Sequence, residues 1–490
     1  MRVEHMIVIT MNRQEFEYDI HSLVKAFYPG QEVKVFTEGS REHISSEGML
    51  RGHVEFLPEE ICIRLAAGEE SLEEKVSLLP GEDRLLVKNK LKQRLYHQLS
   101  KLTGRTLPWG ALTGIRPTRL ALTLLEEGVS EDEVCRQMQE TYLASQKKAE
   151  LSLRIAKKEQ KILSGLHTKE GYSLYLGIPF CPTTCLYCSF TSYPIARWEK
   201  QVEDYLCAME REMRFLGELF GDRPLDTVYV GGGTPTTLTP EQLKRLFAML
   251  YRYFDTGKVQ EITVEAGRAD SITREKLTAL KENGVSRISI NPQTMKEETL
   301  QRIGRRHTAA QVTEAFHMAR AAGFDNINMD MILGLPGETT EDVAATLGKI
   351  RELSPENLTV HSLAVKRGSG LYLATEGRGV QTLQDPEEAM AIASEGAACM
   401  GMEPYYLYRQ KNMTGNLENV GFACEGREGL YNILMMEEKQ NILAVGAGAI
   451  SKRIYPDGRI ERSENVKDIT AYMERIEEML DRKKALLQNL

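Results

Sequence analysis

No run of apolar residues in this 490-residue chain approaches the roughly 18 positions that a membrane-crossing helix needs. Basic residues are not in excess either. The 62 Lys and Arg against 70 Asp and Glu leave a formal net charge of −8. That is the wrong sign for a general nucleic-acid binder, which needs a basic stripe to meet phosphates. The opening MRVEHMIVITMNRQEF lacks the basic-then-apolar order of a secretory signal, so the cytoplasm is the expected compartment. Cysteine is sparse, with eight in all, which excludes a stapled secreted scaffold. Cys62, Cys135, Cys207, Cys399 and Cys424 stand apart from one another and are expected to be small buried apolar residues. What remains is the composition of a soluble globular protein, long enough for two or three domains.

Residues 1–165 read as a mixed α+β domain. MIVITM, EVKVFTE and HVEFLPEEICIRL are rich in β-branched residues with partial alternation and predict strands. EDRLLVKNKLKQRLYHQL carries apolar residues at helical spacing, LPWGALTGIRPTRLALTLLEEG is a turn feeding a helix, and ASQKKAELSLRIAKKEQKIL is a long charged helix suited to joining domains. Trp109–Gly110 and Arg116–Pro117 are expected to serve packing, and nothing in the segment carries evident chemistry.

From residue 174 the rhythm changes. SLYLGIP, DTVYVGGG, EITVEAG, SRISINPQ, NINMDMILGLP and NLTVHSL are short apolar runs separated by amphipathic helical patterns. Such alternation predicts buried parallel strands, as in a partial β/α barrel of six repeats or an open doubly wound sheet. Either places chemistry at the C-terminal strand ends, and the unusual residues gather there. Cysteines follow the first strand, GGGTPT the second, Glu265 lies in the third, Gln293 follows the fourth and Asp330 lies in the fifth. The barrel is assigned to 166–370. Residues 371–490, with YYLYRQKNMTGN, ILAVGAGAIS and a charged terminal helix, are expected to be an α+β extension covering its mouth.

The clustered cysteines are Cys181, Cys185 and Cys188 in YLGIPFCPTTCLYCSF. Structural zinc wants four ligands, commonly from two separated pairs, and no second pair exists. A redox CxxC would leave Cys181 idle. A [4Fe–4S] cluster is held by thiolates on one loop, and three of them leave one iron open. CxxxCxxC after the first strand of a β/α barrel resembles the signature of the radical S-adenosylmethionine enzymes. The resemblance implies that the open iron chelates the amino and carboxylate groups of S-adenosylmethionine, from which an electron releases a 5′-deoxyadenosyl radical. Gly231, Gly232 and Gly233 in VYVGGGTPT would let backbone approach a ligand closely. Glu265, Gln293, Arg305 and Asp330 are polar groups in apolar surroundings, where a polar ligand or an internal ion pair would offset the cost of burial.

YLGIPFCPTTCLYCSF, VGGGTPT, NPQTMKEETLQRIGRRHT and NINMDMILGLPGET, in that order, resemble the oxygen-independent coproporphyrinogen III dehydrogenases (also called oxidases). ILAVGAGAIS extends the likeness, and the long N-terminal segment with PWGALTGIRPT is similar to the HemZ branch. By that resemblance Tyr175, Gly232, Gly233 and Thr234 contact the cluster-bound S-adenosylmethionine, and Glu265, Gln293, Arg305 and Asp330 fall to the same pocket. Tyr187, Ala364 and Ile450 match positions around a second S-adenosylmethionine. The implied reaction removes a hydrogen from the β-carbon of a propionate, after which CO2 leaves. Two rounds convert coproporphyrinogen III to protoporphyrinogen IX in anaerobic haem synthesis. No protein nucleophile or base is required, so no catalytic dyad is assigned to His307 and Glu265. Electrons would come from a flavodoxin or ferredoxin.

Two positions depart from the pattern. Gly177 stands where the family usually has His, and Phe190 where the catalytic branch has a further Cys. Phe190 instead resembles the haem-chaperone branch, a binding and delivery protein. That branch carries a C-terminal His, Asn, Tyr and Trp motif, whereas here no His follows His361 and no Trp follows Trp198, which removes the usual axial imidazole. A radical methyltransferase acting on haem is a third alternative.

Overall fold

The computed structural model describes residues 6–37, 49–114, 116–366, 368–374, 383–410, 413, 415 and 417–488. Two compact units divide the chain: Met1–Ala156 with Arg409–Asn412, and Lys157–Tyr408 with Met413–Leu490. The division lies inside the helix Gln146–Leu163, somewhat before the position 165 expected from sequence.

The first unit is built on a five-stranded sheet of β1 (Met6–Met11), β2 (Glu32–Thr37), β3 (Leu50–Phe56), β4 (Glu60–Ala67) and β5 (Glu70–Ser77), in the order β2-β1-β3-β4-β5. β1 runs parallel to both neighbours, and β3, β4 and β5 form an antiparallel meander. The run HVEFLPEEICIRL is two strands joined by a turn at 57–59. β5, ESLEEKVS, buries only Val76, so as an edge strand it shows no apolar pattern. Helix Arg84–Thr103 starts where Asp83 accepts from the Leu86 N–H at 2.8 Å. It turns Val87, Leu91, Leu95 and Leu99 into the core with Phe16, Ile20, Leu23 and Phe27, an i, i+4 stripe.

The second unit carries the site. Its main strands are β6 (Tyr172–Ile178), β9 (Leu225–Gly232), β10 (Glu261–Gly267), β11 (Arg287–Ile290), β12 (Ile327–Leu333) and β13 (Asn357–Ser362), with a short pair β7 (Phe180–Cys181) and β8 (Tyr193–Pro194) in the loop after β6. These six long strands are parallel neighbours in chain order, the six repeats anticipated from sequence. With helices between them these strands make a partial β/α barrel, to which further strands add at both edges. Three of the intervening helices start on reciprocal capping boxes, Thr239 with Gln242, Thr308 with Gln311 and Thr339 with Asp342.

The segment expected to be an α+β extension covering the mouth adds strands to both edges of this sheet. β14 (Glu403–Tyr408) and β15 (Asn419–Ala423) extend it antiparallel beyond β13. At the other edge β16 (Asn441–Val445) pairs parallel with β6, followed by antiparallel β17 (Ile450–Ile454) and β18 (Ile460–Glu464). The physical cause lies in NILAV and NVGFA, wholly buried runs that need partners on both faces. Within YYLYRQKNMTGN, residues 411, 412, 414 and 416 lie outside the described residues.

A buried ionic network fixes the turn between β16 and β17. Glu212 Oε2 accepts from the Gly446 N–H at 2.9 Å and from the Tyr472 hydroxyl at 2.7 Å, while Glu212 Oε1 accepts from Asn465 Nδ2 at 2.8 Å and pairs with the fully buried Lys483. With both charges out of water, this pair depends on its hydrogen bonds to offset desolvation.

Among the described residues no helix is long and apolar enough to cross a membrane. Cys62 is buried as expected, but Cys207 and Cys399 are exposed. Both lie in helices, and Cys207 Sγ accepts from Arg245 Nη2 at 3.1 Å.

Candidate functional site

The parallel strands are buried almost throughout, and the exceptions step from strand to strand along one face. In β6 only Tyr175 keeps accessible surface, in β10 only Glu265, in β12 only Asp330 and in β13 only His361. β9 adds Tyr229 and its terminal Gly232. The register sets Tyr175 beside Tyr229. Tyr229 donates its hydroxyl to Glu265 Oε1 at 2.6 Å, the Gly232 N–H points at Glu265 Oε2 at 3.3 Å, and Asp330 Oδ2 lies 3.6 Å from His361 Nε2. An otherwise dry sheet therefore encloses a polar hollow that runs from β6 to β13. Tyr175 and Tyr229 stack with Tyr431 into one aromatic wall, with Tyr229 and Tyr431 ring centroids 4.6 Å apart.

The charges in the hollow are tuned apart. Burial raises the Glu265 carboxyl to about 7, although the Tyr229 hydroxyl pulls the other way. Burial also opposes ionisation of Asp330, but His361 and the Asn328 amide, which donates to Oδ1 at 2.7 Å, outweigh it and hold that carboxyl below its usual range. At neutral pH one acid is poised and the other is an anion.

The cysteine loop follows β6 and is pinned from both sides. Thr234 N–H donates to Phe180 O at 2.7 Å, Leu186 N–H to Ile303 O at 3.0 Å, and Leu371 N–H to Leu186 O at 2.6 Å. Cys181, Cys185 and Cys188 are free thiols. Thr234 Oγ1 donates to Cys181 Sγ at 3.5 Å, and Arg268 Nη1 approaches Cys185 Sγ at 4.0 Å while its other contacts go to Thr183 and Asp270. Burial pushes the Cys181 thiol up to about 11 and raises Cys188 as well. Among the described residues no three such side chains are close enough to hold one metal ion. A cubane offers each thiolate its own iron, so a wider spacing suits it.

Two of the glycines also serve packing within the chain. A Cβ at Gly233 would lie 2.5 Å from Phe180 O, and one at Gly231 would lie 2.7 Å from the Tyr229 ring. The close approach is to the cysteine loop and to a strand neighbour. Gly232, at φ +112°, is the exposed member. Gly177 is explained the same way. Its carbonyl accepts from Tyr205 at 2.7 Å, and a Cβ there would meet Val445 O at 3.2 Å. β16 and its turn fill the space where an imidazole would stand.

Gln293 sits just past β11 at φ +67°, a conformation uncommon outside glycine. Its backbone bridges β12 through Asp330 O and the Ile332 N–H, both at 2.9 Å, while its buried Oε1 has no partner. Arg305 donates to Asn291 O and to the Tyr187 hydroxyl at 3.0 Å, its Nε has none, and nearby Tyr187 and Cys185 raise its pKa against the effect of burial. Unsatisfied buried polar atoms at a strand end fit a polar ligand. The Tyr187 ring packs on Ile303, Ile332, Leu335, Leu363 and Leu371. Ala364 lies past β13 and bridges Met413, and Ile450 opens β17 with 40% of its surface exposed. The sheet order puts these two on opposite flanks.

Sequence reasoning missed Tyr229, Tyr431 and His361, as well as a cavity of about 500 Å³ behind the loop, lined by Thr183, Thr184, Gly304, Arg305 and His307. Burial and the neighbouring Arg305 depress His307 to about 4. Tyr229 could have been found from its place two residues before the glycines; His361 needed the strand register, and Tyr431 the packing of the helix Leu430–Glu437.

Residues 175–350 match the model of the radical SAM superfamily. The chain is 41% identical over 82% of its length to the oxygen-independent coproporphyrinogen-III oxidase-like protein HemZ of Bacillus subtilis, covering 82% of that protein. It is 35% identical over 56% of its length to the heme chaperone HemW of the same organism, covering 70% of it. The solved coproporphyrinogen III oxidase HemN of Escherichia coli, described as a radical SAM enzyme, superposes with a TM-score of 0.51 at 24% identity, over 66% of this chain and 72% of that one.

Proposed function

Because the chain belongs to the radical SAM family of oxygen-independent coproporphyrinogen-III oxidase-like proteins, we propose that it oxidatively decarboxylates two propionate arms of coproporphyrinogen III, giving protoporphyrinogen IX. The observation that carries this is the hollow from Tyr175 to His361, opening at the strand ends where the three cysteines lie. Each round moves one hydrogen atom from a –CH2–CH2–COO⁻ arm to the 5′-deoxyadenosyl radical, releases CO2, passes one electron to an external one-electron acceptor and leaves a vinyl group. The sheet contributes a hollow shielded from bulk water, where such chemistry avoids side reactions.

Family membership implies a [4Fe–4S] cluster and S-adenosylmethionine. Bound together they supply one-electron chemistry able to remove a hydrogen atom from an unactivated carbon. Cys181, Cys185 and Cys188 would hold the cluster. Tyr175, Gly232, Gly233 and Thr234 would border the S-adenosylmethionine beside it, with Glu265, Gln293, Arg305 and Asp330 offering hydrogen bonds. Tyr187, Ala364 and Ile450 would border a second molecule. A flavodoxin or ferredoxin would supply the electron in the cytoplasm.

Haem binding and delivery is the second reading, favoured by the 35% identity to HemW and by Phe190, which is 71% exposed at the end of the cysteine loop. An anaerobic assay of reconstituted protein with reductant, S-adenosylmethionine and coproporphyrinogen III separates the two. Mass losses matching one and then two oxidative decarboxylations support the enzyme. Deoxyadenosine release without any change in the porphyrinogen removes this substrate and returns the delivery reading.

A further inference from the structure

Arg268 is the first residue past β10, at the same strand ends as the cysteine loop, and its side chain is only 3% accessible. Its backbone is fixed there, because the Ser271 N–H and hydroxyl donate to Arg268 O at 3.0 and 2.7 Å. The guanidinium is divided between two partners. Nε and Nη2 donate to the two oxygens of Asp270 at 2.9 and 2.6 Å, a bidentate fork that fixes an arginine in one orientation. Nη1 is thereby turned to the cysteine loop. It donates to Thr183 O at 2.9 Å and to Thr183 Oγ1 at 2.6 Å, and it lies 4.0 Å from Cys185 Sγ.

The charges of the fork are unequally exposed. Asp270 keeps 20% of its side chain accessible, so solvent screens the carboxylate more than the guanidinium. His307 Nδ1 stands 3.9 Å from Asp270 Oδ1 on the side away from Arg268 Nη1. Cys185 is buried, and a second guanidinium, that of Arg305, lies near it. A brace for the loop needs only a hydrogen-bond donor. A desolvated and permanently charged arginine clamped toward a cysteine sulfur adds a field as well. The potential of an iron–sulfur cluster follows its net charge, the hydrogen bonds to its sulfurs and its exposure. Reduction adds one negative charge, which a buried cation nearby favours.

We propose that Arg268, clamped by Asp270, is a positioning residue whose charge acts through Cys185 to raise the reduction potential of the [4Fe–4S] cluster. This role rests on the assignment of Cys181, Cys185 and Cys188 to the cluster and is independent of the tetrapyrrole substrate.

The test is a dithionite titration of the reconstituted full-length protein, followed by electron paramagnetic resonance, without S-adenosylmethionine or porphyrinogen. The parent is compared with Arg268→Gln, Arg268→Lys and Asp270→Asn. Arg268→Gln keeps a donor but loses the charge. It is expected to lower the ratio of reduced to oxidised cluster about tenfold at a fixed potential, which for one electron is a shift of about 59 mV to more negative values. Arg268→Lys keeps the charge without the fork and stays nearer the parent. Asp270→Asn removes the opposing carboxylate and moves the potential upward. A Gln variant at or above the parent's potential overturns the role, and so do Gln and Lys variants shifted alike, which would make Arg268 a brace only. Should the Gln variant retain no cluster, Asp270→Asn decides, since an unchanged or lower potential there overturns the role and a higher one supports it. A parent protein that binds no iron removes the cluster assignment itself, and this role with it.

Discussion

Tyr229 donates its hydroxyl to Glu265 Oε1 at 2.6 Å, from one strand of the sheet to the next. The bond partly offsets the burial that raises the Glu265 carboxyl to about 7. A carboxyl raised in the folded state binds more protons there than in the unfolded chain. Folding stability therefore falls as pH rises from the ordinary carboxylate range, about 4.3, through 7, and the loss is complete above it. The full loss is about 4 kcal/mol at most. Denaturant unfolding between about pH 5 and 8, before cofactor is added, is expected to show this slope. Glu265→Gln removes it, and Tyr229→Phe moves it to higher pH.

Cys181→Ser, Cys185→Ser or Cys188→Ser should each cost the protein most of its iron and acid-labile sulfide while leaving it folded. The exposed Cys207 and Cys399 are the controls, and their serine variants keep the full iron content. Retained iron in the Cys185 variant would remove the site assignment.

Gly233→Ala places a Cβ 2.5 Å from Phe180 O, so the cysteine loop must shift. Overpacking of this kind costs about 1–3 kcal/mol, read as a lower thermal midpoint and weaker iron retention. Gly257→Ala, where the nearest atom is a flexible Asp255 side chain at 3.1 Å, is expected to change neither.

Glu212→Gln leaves Lys483 buried without its counter-charge, which costs about 3–5 kcal/mol. Adding Lys483→Met should recover much of that loss, because two charges then leave the interior together. A double variant no more stable than Glu212→Gln alone would mean that the network, not the charge, is what matters.

The parallel repeats were legible because buried strands such as DTVYVGGG and NINMDMIL are near-continuous apolar runs separated by capped amphipathic helices. The cysteines, the glycine turn, Glu265 and Asp330 stood out as chemistry at strand ends. β16 did not, because NILAV is short and lies more than 260 residues along the chain from its partner β6, and no local pattern encodes that pairing. His361 was hidden for the same reason. Within NLTVHSL it is one polar residue among several, and only the β12–β13 register brings it to Asp330. The exposed cysteines show the converse, since residue type alone sets no helix face.

The most direct test of the account uses coproporphyrinogen III deuterated at the β-carbons of its propionate arms, incubated anaerobically with the reconstituted protein, reductant and S-adenosylmethionine. The account predicts deuterium in the released 5′-deoxyadenosine, matched by the appearance of a vinyl product that has lost CO2. Deoxyadenosine free of deuterium, with the tetrapyrrole recovered intact, would contradict it.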